Sequence, residues 1–385
     1  MPADYRYQIE GYEDILSEIA SLRKYGIDYT TTKGKKAEIV NRLHPEKCNL
    51  RISNIIEIAK DVKVFRLVSQ NGYLPPFIAG QYISLSVEID GIRTSRPYSI
   101  SSSPKQRGYY EITVKLVPDG FVSQYMLNNA KIGDTFEATS PAGYFYYNPL
   151  FLGSRLVLIA GGSGITPFMS MLREMCDLGL DDKEIHLIYG CQSEEDALYR
   201  DELLRYSSGR KNFTYDLILS SPREDFKGLT GFIDRKMIMK LVPEWQTSTY
   251  FVCGPTAMYK FCVPELKKMG IPQKRIRREV FSSGQRITDE SGWPEGVRAE
   301  DLFDLKIGDR VFKVKAGESI MTALERNKVT VKSCCRSGEC SLCRVKLNAG
   351  KVFQPESVLV RKSDRKYGYI HSCQSYPFTD VEIQI

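Results

Sequence analysis

Four cysteines toward the C-terminal end constrain this chain more than any other feature. Cys335, Cys340 and Cys343 stand in a C-x4-C-x2-C run, and Cys373 follows further on. Three thiols from one tight loop and a fourth from elsewhere make a four-thiolate metal site. A two-iron cluster needs that number because each iron takes two thiolates. Ser337, Gly338 and Ser341 keep the loop small, so backbone N–H groups can point at the sulfurs and tune the potential. Structural zinc could use the same four ligands, and Cys340 with Cys343 could serve as a redox dithiol. Cys334 is adjacent to a ligand but off the spacing, and reads as a packing thiol, with an occasional substitute ligand as the alternative.

The chain has 385 residues, which is too many for one ordinary core and predicts several domains. Apolar residues make up 42% and charged residues 26%, so the composition is that of a folding, globular protein. The net charge of +7 comes from basic residues scattered along the whole sequence. Such a spread points weakly to an acidic partner surface and not to nucleic acid. No apolar run is long enough to span a bilayer, and the first residues lack a basic segment followed by an apolar one. A cytoplasmic location is expected, where ten cysteines read as metal ligands and buried thiols.

Texture divides the chain into five segments. Residues 1–48 read as a helical extension: Tyr12, Ile15, Leu16, Ile19 and Leu22 fall at helical spacing, and a basic stretch from Lys33 to Arg42 predicts a second short helix. A helical hairpin packed on the next domain is expected, with docking of an acidic partner as the alternative. Residues 49–151 alternate in the manner of strands, punctuated by Asn71-Gly72, Pro75-Pro76 and Asp90-Gly91, and predict an antiparallel β-barrel. Residues 152–281 alternate short apolar strands with helices, which predicts an α/β domain on a parallel sheet. Residues 282–298 are rich in Gly, Ser and charge and read as a linker. Residues 299–385 predict a hairpin, a short helix and the cysteine loop.

Further motifs then place the chemistry. Arg96-Pro97-Tyr98-Ser99 ends a predicted barrel strand and matches the R-x-Y-S flavin motif of the ferredoxin reductase family. Gly120-Phe121-Val122-Ser123 follows and opens a helix, resembling the second flavin motif of that family. Gly161-Gly162-Ser163-Gly164-Ile165-Thr166-Pro167 sits between a strand and a helix, where backbone amides and a helix N-terminus can hold a pyrophosphate. Tyr250-Phe251-Val252-Cys253-Gly254-Pro255 resembles the family's C-G-P segment beside the nicotinamide. Arg277 to Phe281 resembles the end of the nucleotide domain, where an aromatic or acidic group can border the flavin. The cysteine spacing and its flanking elements match a plant-type ferredoxin β-grasp.

Residues from about 50 onward thus resemble ferredoxin reductase-like flavoproteins of the phthalate dioxygenase reductase and phenylacetyl-CoA epoxidase reductase type. The resemblance implies flavin barrel, nucleotide domain and C-terminal [2Fe-2S] ferredoxin in that order, with Cys335, Cys340, Cys343 and Cys373 as cluster ligands. It implies that Arg96, Pro97, Tyr98, Ser99, Gly120, Val122 and Ser123 bind flavin. Gly161, Gly162, Gly164, Thr166, Cys253, Gly254 and Pro255 would bind the nucleotide. Direct roles at the reacting rings fall to Tyr98, Ser99, Thr166 and Cys253. Tyr144 or Phe145 could touch the flavin, though such aromatics are more often core. FAD is expected over FMN from the RPYSISSSP stretch. Glu194, Glu195 and Asp196 would repel a 2′-phosphate, which favours NADH over NADPH, while Arg200, Arg210 and Lys211 lie close enough in sequence to offset them.

The implied function is a reductase that passes electrons from nicotinamide to flavin to cluster and on to a separate protein, an oxygenase or hydroxylase component. A reductase for an anaerobic reductive enzyme and a nucleotide-binding redox sensor are the alternatives.

Overall fold

The computed structural model describes residues 10–24, 37–280 and 286–385. The first 46 residues form a unit of their own. It contains helix α1 (Tyr12–Lys24) and a second helix, α2 (residues 37–43). Residues 33–36 of the expected second helix and residues 282–285 of the expected linker lie outside the described residues.

From Lys47 onward the described residues form three main sheets and one two-stranded sheet. The first is antiparallel and uses β1 (Lys47–Ala59), β2 (Val62–Ser69), β3 (Tyr82–Ile89), β4 (Ile92–Ser99), β5 (Tyr110–Lys115) and β6 (Thr135–Thr139). Their order is β4-β3-β6-β1-β2-β5, and a bridge between Ile100 and Ile112 joins the two ends. Period-two alternation puts Leu50, Ile52, Phe65, Leu67, Ile83, Leu85 and Ile112 inside, all fully buried. Asp90 and Gly91 both take positive φ, 52° and 74°, and turn β3 directly into β4. Helix α3 (Phe121–Asn128) packs Val122 and Met126 into the same core.

The second sheet contains β7 (Arg155–Gly161), β8 (Glu184–Cys191), β9 (Phe213–Leu219), β10 (Leu229–Thr230), β11 (Thr249–Gly254) and β12 (Ile276–Val280), all parallel, in the order β10-β9-β8-β7-β11-β12. Its strands are apolar on both faces because helices cover both. Along β7, Leu156, Leu158 and Ala160 face one core while Val157 and Ile159 face the other. Helix α4 (Thr166–Leu178) covers the first face; the second is covered by α6 (Arg235–Leu241) and α7 (Thr256–Lys268). Helix α5 (Arg200–Gly209) joins α4 through Leu203. Strand order reverses between β7 and β11, and a crevice at the carboxyl ends of such strands is where α/β sheets bind ligands.

The third sheet, β14-β13-β19-β15-β17, is built from β13 (Leu302–Ile307), β14 (Arg310–Lys315), β15 (Arg344–Ala349), β17 (Tyr369–His371) and β19 (Val381–Gln384). Strands β16 (Val352–Phe353) and β18 (Tyr376–Pro377) pair separately. Helix α8 (Ile320–Arg326) is capped by Ser319, whose hydroxyl accepts from the Thr322 amide, and buries Ile320, Met321 and Leu324 against the sheet. A short helix, α9 (Lys362–Lys366), lies just before β17. No helix among the described residues is long and apolar enough to cross a membrane.

Candidate redox site

The cysteine loop is coiled by three left-handed residues, Arg336, Gly338 and Ser341, with φ of 53°, 79° and 61°. A Cβ on Gly338 would lie 2.8 Å from Val358 Cγ1, so this position is confined to glycine by space as well as by φ. Three contacts from the Cys373 side fix the loop. His371, fully buried, places Nδ1 2.7 Å from the Gly338 carbonyl, the Ser372 hydroxyl donates to the Cys343 carbonyl at 2.8 Å, and the Gln374 amide donates to the Arg336 carbonyl at 2.8 Å. None of these three residues is signalled by the cysteine spacing.

The four thiols are arranged as two pairs. Cys343 and Cys373 stand sulfur to sulfur at 3.2 Å, and Cys335 accepts from the Cys340 amide at 3.3 Å. Within each pair one thiol is held below the ordinary range, Cys335 chiefly by the Cys340 thiol and Cys343 chiefly by the Cys373 thiol. All ten cysteines are free. Among the described residues no three His, Cys, Asp or Glu side chains gather for one metal ion. Two thiol pairs suit a two-iron cluster, in which each iron takes two thiolates, better than a single tetrahedral zinc.

Strand β4 carries the Arg96–Ser99 motif out of the barrel beside this loop. Tyr82 of β3 faces Ser99 in the register, and its hydroxyl is 3.5 Å from Cys334 Sγ. Tyr82, Cys334 and Cys335 form one buried cluster, so Cys334 packs against the barrel as expected of it. A cleft of about 740 Å³ opens here. Its walls are Arg96 to Ser99, Gly120 to Ser123 at the start of α3, Gly161 to Gly164 with Thr166, Gly254 with Pro255, and Cys335, Arg336, Cys373 and Gln374 from the third module. Segments of the barrel, the parallel-sheet domain and the cysteine-bearing module thus meet on one cavity. Arg96 donates to Thr94 Oγ1 at 2.8 Å and to the Ser95 carbonyl at 2.7 Å, and burial, then the Arg336 guanidinium, bring its pKa down to about 10, still protonated at neutral pH. Burial raises the Tyr98 hydroxyl to about 12, so the ring stays neutral. Of the two aromatics noted beyond the motif, Phe145 is core and Tyr144 is 81% exposed.

The nucleotide turn is dictated by close backbone approach. A Cβ on Gly164 would fall 2.2 Å from the Cys253 carbonyl oxygen, and one on Gly161 would fall 2.6 Å from Met258 Sδ. Gly162 has φ of 51° and its carbonyl accepts from the Tyr189 hydroxyl at 2.8 Å. Thr166 opens α4 and donates to the Ser163 carbonyl at 2.6 Å. Cys253 is fully buried in the core behind the turn, with burial pushing its thiol well above the ordinary range; it meets the turn through its backbone. Gly254 and Pro255, just after it, face the cleft.

A buried carboxyl completes the site. Glu279 is 6% exposed, and Ser99 donates to its Oε2 at 3.3 Å. Burial first, and the Glu339 carboxylate second, push the Glu279 carboxyl well above the usual range. The Tyr259 hydroxyl donates to the Glu279 carbonyl and accepts from the Gly254 amide at 2.9 Å, tying β12 to the end of β11. By contrast, the acidic loop after β8 is committed elsewhere: Glu194 pairs with Arg200 at 3.0 Å, Glu195 with Arg223, and Asp196 with Lys115 at 3.4 Å and with Ser193.

Family models match in the same order along the chain: an oxidoreductase FAD-binding domain over residues 49–147, an oxidoreductase NAD-binding domain over 158–263, and a 2Fe-2S iron-sulfur cluster binding domain over 305–378. The chain is similar to the glycine betaine monooxygenase reductase subunit of Chromohalobacter salexigens, 26% identical over 87% of this chain and 95% of that one. It is 31% identical to NADH-cytochrome b5 reductase 1 of Dictyostelium discoideum over 63% of this chain and 85% of the relative. Among solved structures it resembles phthalate dioxygenase reductase, with a TM-score of 0.66 and 25% identity over 88% of this chain and 98% of that one. The chain belongs to the ferredoxin reductase-like flavoproteins that carry a C-terminal plant-type [2Fe-2S] domain, and it is an oxidoreductase that passes electrons from a nicotinamide nucleotide through FAD to that cluster.

Proposed function

We propose that this chain is the reductase component of an oxygenase or hydroxylase system and hands single electrons from its cluster to a separate terminal enzyme. The observation that carries this reading is the contact of the cluster loop with the flavin strand, Cys334 against Tyr82 and Tyr82 opposite Ser99. A simple flavin reductase has no use for a one-electron exit module at that place. The names of the glycine betaine monooxygenase and phthalate dioxygenase reductases support an oxygenase as the acceptor.

Bound FAD supplies the conversion of a hydride, delivered as an electron pair, into the single electrons that an iron-sulfur cluster takes. The chain's own residues bind, orient and shield. Arg96 and the amide end of α3 at Gly120, Val122 and Ser123 hold flavin phosphate. The Tyr98 ring covers the flat isoalloxazine, with Pro97 fixing the strand beside it. The Ser99 hydroxyl, held by its bond to Glu279, would stand beside the flavin nitrogen that takes hydride. Gly161, Gly162, Gly164 and Thr166 present amides and a helix N-terminus to the nucleotide pyrophosphate, while Gly254 and Pro255 border the nicotinamide and Cys253 supports them from behind. Cys335, Cys340, Cys343 and Cys373 would hold the cluster through their four thiolates. The domain limits 1–48, 49–151, 152–281, 282–298 and 299–385 fit this division of labour. Ten unbridged thiols favour a reducing, cytoplasmic setting.

The acceptor's face is acidic. Residues 339–367 carry seven Lys or Arg against three Asp or Glu, whereas the rest of 299–385 carries eight of each. This basic stretch begins in the cluster loop, where Leu342 is 50% exposed, and includes α9, which Arg344 anchors through Asp364 at 2.8 Å. Purified protein is expected to reduce cytochrome c with NADH in preference to NADPH. Failure with both nucleotides, with flavin and cluster loaded, would end this reading.

A further inference from the structure

The outer face of an antiparallel barrel is ordinarily wet, yet β4 carries two adjacent hydroxyls, Thr94 and Ser95, that are only 4% and 7% exposed. The ferredoxin module covers them. Helix α8 packs against β4, and Thr94 donates to Glu325 Oε2 of that helix at 3.0 Å while accepting from Arg336 of the cluster loop at 3.0 Å. Ser95 lies 3.0 Å from the Ser333 hydroxyl and 3.4 Å from Arg336 Nε. Within the module Arg336 pairs with Glu325, and the two side chains are 11% and 12% exposed. All these buried polar groups are thus bonded across or beside one seam.

Neither charged residue stands where its own backbone favours it. Glu325 is the next-to-last residue of α8, where a carboxylate meets the negative end of the helix dipole, and Arg336 is in left-handed backbone with φ of 53°. The joint holds both in place. Thr94 closes it because a hydroxyl can accept from the cation and donate to the anion of one ion pair at the same time. It also accepts from Arg96 at 2.8 Å, which ties the joint to the strand that carries the flavin motif. A methyl group in place of that hydroxyl would take one bond from Arg336 and one from Glu325, and bonds to buried charged groups are the strong ones.

The seam separates the two modules between which an electron passes. Reduced flavin loses one electron and the cluster gains it, with no bond made or broken, so the step depends on how the two carriers are held. We propose that Thr94 is a positioning residue for this step: through Glu325 and Arg336 it keeps the cluster loop docked on the flavin strand. This rests on the reading of Arg96 to Ser99 as the flavin strand. A tethered module that lacks the joint still returns to the barrel, but it is docked for a smaller share of the time.

The test uses the full chain with its cluster in place. Hydrogen exchange is read first, without flavin: Thr94→Val and Glu325→Gln should each quicken amide exchange in residues 92–99 and in residues 320–326. Thr94→Ser, which keeps the hydroxyl, should behave as wild type. With flavin bound and NADH added anaerobically, the Glu325→Gln cluster should be reduced roughly tenfold more slowly, the size of a lost bond to a charged group, while the flavin bleaches at the wild-type rate. Added sucrose should slow that variant more than wild type, because redocking then limits it. Thr94 and Glu325 belong to different modules, so a shared joint makes the double variant no slower than the worse single. Rate effects that multiply, unchanged exchange, or wild-type cluster reduction in both singles would overturn the proposal. Ser333→Ala, a milder break of the same joint, should shift exchange and rate in the same direction and serves if either variant fails to fold. A wild-type cluster that NADH never reduces would overturn the flavin-strand reading instead, and quickened exchange in both variants would still support the joint.

Discussion

The loop around Cys335 and the loop after β8 are both short, polar and motif-like, yet they use their side chains in opposite ways. In the first, the thiols face one another in pairs and the scaffold is supplied from outside by His371, Ser372 and Gln374. In the second, Glu194, Glu195 and Asp196 are themselves the scaffold, each tied to a cation and Asp196 closing a capping box with Ser193. Residues that share a chemistry only with one another are free for a cofactor. Residues paired with the surrounding structure are not, so the acidic loop is a weaker guide to nucleotide choice than its charge suggests.

Breaking a thiol pair should give the largest effect. Cys340→Ser is expected to abolish the cluster's visible absorption and cytochrome c reduction, while NADH-driven ferricyanide reduction, which needs only flavin, persists. Loss of both activities would mean that the loop also holds the flavin side together. Next comes the nucleotide turn, where Gly164→Ala drives a Cβ against the Cys253 carbonyl and should destabilise by roughly 1 to 3 kcal/mol. Thermal unfolding and the KM for NADH read this out, and wild-type values for both would refute the close approach.

Glu279 tests whether a carboxyl on the functional side behaves unlike those of the acidic loop. Its folded-state pKa is raised, so the folded chain keeps a proton that the unfolded chain has lost. Stability is then full below the ordinary carboxylate value and declines as pH climbs toward the raised one. Ser99, Cys253, Tyr259 and Glu339 surround it, and burial of its charged form dominates. Relative to wild type, Glu279→Gln should therefore gain in melting temperature as pH rises above the ordinary carboxylate range, and a constant difference would contradict the assignment. The smallest effect belongs to Glu194→Gln, whose exposed pair with Arg200 is worth under about 1 kcal/mol. The NADH preference should survive it; a collapse would restore the acidic loop to a role in reading the ribose.

Sequence texture carried most of the architecture because each module announces itself locally. Asp90-Gly91 makes the turn it predicts, the β7 run alternates between two cores, and the cysteine spacing fixes which four thiols meet. What stayed hidden is long-range. Ser99 and Glu279 are 180 residues apart, and Thr94 and Glu325 are 231 apart. No spacing rule connects such positions. The acidic loop misleads for the same reason, since Lys115 lies 81 residues before Asp196 and local charge shows no partner. Tyr82, which joins barrel to cluster loop, looks in the sequence like any strand aromatic.

The central claim is that flavin and cluster exchange electrons within one polypeptide. Rapid anaerobic mixing with NADH, following flavin bleaching and the reduced-cluster signal together, tests it directly. Cluster reduction is expected at a rate that does not change with protein concentration. A cluster that stays oxidised while the flavin bleaches, or a rate that rises in proportion to protein, would contradict it.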